Sequence, residues 1–146
     1  MNIQKNYSLK RLNTFGIDAK AHLFCEIKNE EQLQLILTDK NFKKIPKFIL
    51  GGGSNVLFTQ NFHGLVIKNS ISGVEIIQED KDSVLVKAGA GEVWHDLVFF
   101  CVERKFGGIE NLSLIPGTVG AAPMQNIGAY GQEIKDVFEY IEGILI

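Results

Sequence analysis

Apolar and polar positions alternate in recognisable periods over most of the chain. Tyr7 to Asp18 has no period and reads as an irregular opening arm, tightened at Gly16. Leu23 to Ile27 alternates like a strand. Asn29 then stands where an N-cap belongs, and Glu30 and Glu31 fill the first turn, where the helix dipole favours acids. Leu33, Ile36 and Leu37 recur at helical spacing and predict an amphipathic helix running to about Asp39. Pro46 closes that connection and Phe48–Leu50 predicts a short buried strand, so a β–α–β unit leads into Gly51. Leu65 to Ile67 predicts another strand. Val74 to Gln78 and Val84 to Ala88 predict an antiparallel pair across the polar turn Glu79 to Asp82, a solvated hairpin tip. After Gly89-Ala90-Gly91, Glu92 opens a helix with Val93, Leu97, Val98, Cys101 and Val102 on its apolar face, stopped by Gly107-Gly108. Val137 to Ile146 alternates like a final strand.

Two stretches depart from this rhythm. The first is Gly51-Gly52-Gly53-Ser54-Asn55-Val56-Leu57, placed between the strand Phe48–Leu50 and a second apolar run. Consecutive glycines let the backbone take positive φ and approach a ligand without a Cβ in the way. Successive N–H groups in such a turn form an anion-binding concavity, and a phosphate or diphosphate suits it. The spacing is neither G-x-G-x-x-G nor a P-loop. The alternative is a flexible turn between two strands.

The second is Gly107 to Gly131, which mixes glycine, proline and small apolar residues with a single charge, Glu110. A long uncharged stretch predicts burial, yet its glycines and prolines forbid a long regular helix. Buried irregular backbone needs partners for its polar groups, which a large ligand could supply. The alternative is a packed interior loop.

Composition narrows the classes. At 146 residues, 45% hydrophobic and 22% charged, the chain is a globular domain, or a domain with part of a second. A formal charge of −2 with scattered Lys and Arg leaves no electrostatic footprint for nucleic acid. No apolar run approaches the ~18 residues of a membrane span, and Met1 to Asn6 lacks a signal-peptide core, so a cytoplasmic protein is expected. Cys25 and Cys101 sit apart in apolar runs and read as buried free thiols. His22 and His63 flank strands as surface residues, and His95, beside Trp94, reads as structural. No residues recur at metal-ligand spacing.

Three motifs in order, Asn13-Thr14-Phe15-Gly16-Ile17, Gly51 to Leu57, and Ile115-Pro-Gly-Thr-Val-Gly-Ala-Ala-Pro-Met-Gln-Asn-Ile-Gly-Ala-Tyr-Gly131, closely resemble the UDP-N-acetylenolpyruvoylglucosamine reductase (UDP-N-acetylmuramate dehydrogenase) family. Gly89-Ala90-Gly91 followed by Trp94-His95 fits the same family, and the resemblance covers nearly the whole chain. It implies an α+β FAD-binding domain of the vanillyl-alcohol oxidase type, not a Rossmann domain. Two α+β subdomains, residues 1–70 and 71–146, would hold the flavin between them, with the second incomplete at its C-terminus. The family's NADPH-reduced flavin passes hydride to the enolpyruvyl group of a UDP-sugar, giving UDP-N-acetylmuramate for peptidoglycan.

By that resemblance Gly51, Gly52, Gly53, Ser54, Asn55, Val56 and Leu57 match the loop that holds the FAD diphosphate. Ile115, Gly117, Gly120, Ala121, Ala122, Gln125, Asn126, Ile127 and Gly128 match the segment lining the flavin. Tyr130 corresponds to a substrate-facing residue, its alternative being a half-buried aromatic with a wet tip. The family's catalytic arginine, serine and glutamate have no match here, since Arg11 and Arg104 lie outside that motif. No catalytic residue is therefore assigned. The 146 residues alone are expected to be a monomeric fragment without turnover, lacking the domain that takes the UDP-sugar and NADPH. Two other readings stay open: an FAD oxidoreductase of the same fold with another substrate, and a non-catalytic nucleotide-binding fragment. Truncation could also leave the fragment unable to hold FAD.

Overall fold

The computed structural model describes residues 2–145. It divides into two units, one running up to Ile71 and taken up again from Gly143, the other Ser72–Glu142.

The first unit is a four-stranded sheet with one helix. Its elements are β1 (Gln4–Ser8), β2 (Lys20–Ile27), α1 (Glu30–Thr38), β3 (Lys47–Leu50) and β4 (Phe62–Asn69), and the sheet order is β1-β2-β4-β3. β1 pairs antiparallel with β2, while β2 and β3 both run parallel to β4. The opening arm is thus partly regular, a correction to the irregular reading from Tyr7. β1 is an edge strand exposed on nearly every residue, so burial leaves no period in its sequence. Tyr7 still anchors it by stacking on Phe24 with ring centroids 4.0 Å apart.

Residues alternate across the central strands as the pleat demands. Leu65 and Ile67 of β4 join Leu23, Cys25, Ile27 and Ile36 on one face, while Val66 joins Leu9, Ala21, Phe24, Leu50 and Phe58 on the other. A register irregularity between Ala21 and Leu23 puts Ala21 and Phe24 on the same side. Burial pushes the Cys25 thiol up to about 11. The helix forms where its capping pattern predicts. Asn29 Oδ1 accepts from Gln32 N at 2.9 Å, and Ile36 is fully buried with Leu33 and Leu37 against the same cluster.

The second unit contains the hairpin β5 (Val74–Glu79) and β6 (Val84–Ala88), helix α2 (Trp94–Glu103) and the two-residue strands β7 (Gly128–Ala129) and β8 (Gln132–Glu133). At the hairpin tip Asp80 accepts from Asp82 N and Ser83 N, and these bonds hold its exposed carboxyl below the usual range. Helix α2 starts later than its sequence predicts. Glu92 is a strut instead, its carboxylate accepting from Gly73 N at 2.6 Å and its carbonyl from Val119 N at 2.9 Å. Val93 is the N-cap in extended conformation, so its side chain leaves the helix face, and Val102 is also exposed. Trp94 takes the inward place, giving a buried stripe of Trp94, Leu97, Val98 and Cys101.

The helix also ends before Gly107-Gly108. Lys105 takes the left-handed conformation (φ 61), with Lys105 N bonding Val102 O and Phe106 N bonding Cys101 O. That is the Schellman closure, made here with a lysine where glycine is usual. Leu112, Ala122, Ile127 and Ile134 complete the core around α2. Residues 138–145 form no strand, and Val137, Phe138, Tyr140 and Ile141 are exposed. The segment pairs with no strand among the described residues, and Glu142 instead meets Lys87 of β6 through its side chain. Ile146, the last residue of the predicted strand, lies outside the described residues.

Candidate functional site

The two glycine-rich stretches lie in different units. In the first unit, Gly51 to Leu57 leaves β3 at its C-terminal end as an irregular loop. Gly53 is buried at φ 72, and a Cβ there would run into the Leu12 carbonyl oxygen, so only glycine fits. The opening arm packs on this point. Buried Asn13 closes the arm on itself: its side-chain amide donates to Leu9 O at 2.8 Å and Ile17 O at 3.0 Å, and its Oδ1 accepts from Ile17 N at 3.0 Å.

Thr14 then reaches the loop, its N donating to Gly53 O at 3.2 Å and its Oγ1 to Ser54 O at 3.4 Å. Lys68 Nζ donates to Gly51 O at 2.8 Å. In a trans peptide the carbonyl and the following N–H point to opposite sides. Capture of Gly51 O by Lys68 therefore turns Gly52 N–H away from Lys68, and capture of Gly53 O and Ser54 O by Thr14 turns the N–H groups of Ser54 and Asn55 away from Thr14. Val56 is half-buried, Leu57 is 60% exposed, and Phe58 fills the core.

In the second unit, residues 107–131 are not uniformly buried, which corrects the expectation from their lack of charge. Short 3-10 turns at Glu110–Leu112, Val119–Ala121 and Pro123–Gln125 lead into the β7–β8 hairpin. They bury one residue at intervals, Leu112, Thr118, Ala122 and Ile127, and expose Leu114, Met124 and Tyr130 between them. Gly120 lies against Ala90, where a Cβ would stand 2.6 Å from the alanine Cβ. Gly120 N donates to Ala90 O at 2.9 Å and Trp94 N to Gly117 O at 3.1 Å.

Left-handed backbone concentrates here, at Leu114 (φ 61), Gly117 (φ 135), Asn126 (φ 43), Tyr130 (φ 55) and Gly131 (φ 82). Such strain persists only where surroundings over-determine it and gathers at ligand sites. Beside it opens a cleft of about 840 Å³, lined among others by Ile115, Gln125, Asn126, Ile127, Gly128, Gln132 and Glu133.

The predicted residues divide accordingly. Ile115, Gln125, Asn126, Ile127 and Gly128 come together on the cleft. Ala122 and Ile127 put their side chains into the core around Trp94, leaving backbone as the part that could meet a ligand. Tyr130 stands 92% exposed at the β7–β8 turn, so the half-buried alternative is excluded. His95 is held at its Nδ1: Leu114 N donates to it at 3.4 Å and Ser113 Oγ lies 3.2 Å away. His22 and His63 are exposed, and both cysteines are buried free thiols.

Sequence reasoning passed over Lys68, Thr118 and Gln132. Thr118 is 95% buried, its residue exposure being 5%, and its Oγ1 has no hydrogen-bond partner; Gln132 Oε1 is likewise buried without one. An unpaired buried hydroxyl costs about 1–3 kcal/mol, so both atoms mark places where a polar ligand is wanted. The signal for Thr118 was a hydroxyl inside an otherwise apolar glycine-rich run. Lys68 offered none, being one lysine among many.

Among the described residues no group of acidic, histidine or cysteine side chains could hold a metal, and no helix is long and apolar enough to cross a membrane. The fold is that of a mixed α+β domain rather than a doubly wound parallel sheet. Residues 21–146 match the family model described as FAD binding domain, and the chain belongs to that family.

It is similar to the UDP-N-acetylenolpyruvoylglucosamine reductase of Flavobacterium johnsoniae, 55% identical over 94% of this chain and 40% of that protein. The enzyme of the same name from Amoebophilus asiaticus is 48% identical over 100% of this chain and 43% of its own length. The crystal structure of UDP-N-acetylenolpyruvylglucosamine reductase (MurB) from Thermus caldophilus matches in fold, with a TM-score of 0.69 over 93% of this chain and 46% of that one, at 24% identity. The chain spans about two fifths of the length of these curated relatives.

Proposed function

We propose that this chain is the FAD-holding part of a flavoenzyme that reduces UDP-N-acetylenolpyruvoylglucosamine to UDP-N-acetylmuramate for peptidoglycan. NADPH would be the reductant and the cytoplasm the compartment. The observation that carries the reading is that the FAD binding domain match spans both cradles, and that the second holds a buried hydroxyl with no protein partner. The residues present fit the cofactor. Gly52, Ser54 and Asn55 supply N–H groups suited to a diphosphate, and Gly117 to Gly128, with Thr118 Oγ1, offer close backbone and one donor to a flat polar ring. When bound, FAD supplies hydride chemistry, while the protein supplies position and electrostatics.

What these residues do is bind and orient. The N–H groups of the glycine loop are the part proposed to meet the phosphates, and the left-handed turn at Asn126 brings backbone to the cleft. Tyr130, projecting beyond the cleft, is the residue proposed to meet the UDP-sugar. None of the residues is assigned to proton transfer. Relatives bearing the reductase name support the substrate.

The test is to incubate the purified chain with FAD, desalt it and record the visible spectrum. Retained flavin bands in the wild type and their loss in Gly53→Asp are the expected result. Bands lost equally from both would overturn the cofactor role of this chain.

A further inference from the structure

The glycine loop is steered by a cation that neither its motif nor the diphosphate reading requires. Lys68 lies on β4 opposite Glu26 of β2, and its Nζ reaches back to the Gly51 carbonyl at 2.8 Å. The side chain is half-buried, and that burial pushes the ammonium below the ordinary lysine range, with Glu26 opposing the fall. Glu26 is itself held, accepting from Ser70 Oγ at 2.7 Å.

A run of glycines has little steric reason to prefer one face of each peptide, so something else must choose it. At Gly53 the choice is made by packing on Leu12 and by Thr14. Gly52, one residue earlier, is exposed and lacks the buried packing that holds Gly53. With the Gly51–Gly52 peptide trans, capture of Gly51 O by Lys68 fixes Gly52 N–H on the opposite side.

We propose that Lys68 is a positioning residue for an anionic diphosphate: it locks the Gly51–Gly52 peptide so that the Gly52 N–H faces the phosphates, and it places a partly desolvated positive charge behind the loop. The proposal rests on the FAD reading above and names the residue that prepares that site. A charge-assisted bond orienting one peptide is about twice as strong as a neutral one, and its loss is expected to weaken diphosphate binding about tenfold.

The experiment compares wild type, Lys68→Met and Lys68→Arg, each checked for an unchanged melting profile. FAD affinity is read by flavin fluorescence at two salt concentrations, and the Gly52 amide signal is read by NMR without flavin. The expected result is about tenfold weaker FAD binding in Lys68→Met, with a flatter salt dependence, a displaced Gly52 signal, and both largely restored in Lys68→Arg. A Gly52 signal and an FAD affinity in Lys68→Met that match wild type would overturn the role. A wild type that takes up no FAD, but whose Gly52 signal moves in Lys68→Met, would sink the cofactor reading and uphold Lys68 as the residue that sets the loop.

Discussion

The two glycine-rich regions use similar residues to reach shape by different means. Gly51 to Leu57 is shaped from outside: its fixed carbonyls bond Thr14 and Lys68, and its buried glycine packs on Leu12. Residues 107–131 are shaped largely from within, by bonds such as Ala121 N to Thr118 O, Asn126 N to Pro123 O and Ile127 N to Ala122 O. Tethers to the Gly89–Glu92 turn then fix their place in the second unit, through Gly120 to Ala90 and Val119 to Glu92. A loop held by distant partners loses its shape when the partner goes. A chain of local turns keeps each bend and loses only its docking.

Alanine in place of two left-handed glycines puts the contrast to its severest test. Gly53→Ala combines backbone strain with collision against main chain and is expected to cost roughly 3–4 kcal/mol. Gly131→Ala, also left-handed (φ 82) but with nothing within 4 Å of the added Cβ, should cost roughly 1 kcal/mol. Urea denaturation of both variants measures this, and equal costs would break the contrast.

Alkali should weaken the first unit next. Cys25 has a folded pKa of about 11, above its ordinary 9.0, so the stability it confers is complete below that ordinary value and is lost as pH rises through about 11. The loss is roughly 2 kcal/mol. Urea midpoints near neutrality and near pH 11 should differ less in Cys25→Ala than in wild type; identical pH slopes would remove the thiol as the cause.

Thr118→Val separates ligand from fold in the second region. Removing an unpaired buried hydroxyl without changing shape should raise stability by about 1 kcal/mol while flavin affinity falls about tenfold. A variant less stable than wild type would mean that the hydroxyl serves the fold. The smallest effect is expected from Thr14→Ala. It removes one long exposed bond to Ser54 O but keeps the backbone tether to Gly53, at a few tenths of a kcal/mol. A loss comparable to that of Gly53→Ala would show that the side chain, not packing, holds the loop.

Much of the fold could be read in advance where the cause is local. The Asn29 cap, the stripe Leu33, Ile36 and Leu37, and the hairpin around Asp80 depend on neighbours within a few residues, and all stand where their sequence predicts. What failed depended on context. β1 exists because β2 offers it an edge, Lys105 ends α2 because Phe106 can bond back to Cys101, and Val137 to Leu145 alternates yet pairs with no strand. Candidate site residues followed the same division. The two stretches were visible as glycine patterns, but the exposure of Tyr130, the unpaired Thr118 hydroxyl and the reach of Lys68 were not.

The sequence by itself determined where backbone could bend freely, which helix would be capped and which thiols would be buried. Those properties are written in residue type and short-range spacing. Only the tertiary structure decided which face each freed peptide presents. A glycine permits both orientations, and the choice falls to whatever packs or bonds behind it: Leu12 at Gly53, Lys68 at Gly51, Ala90 at Gly120.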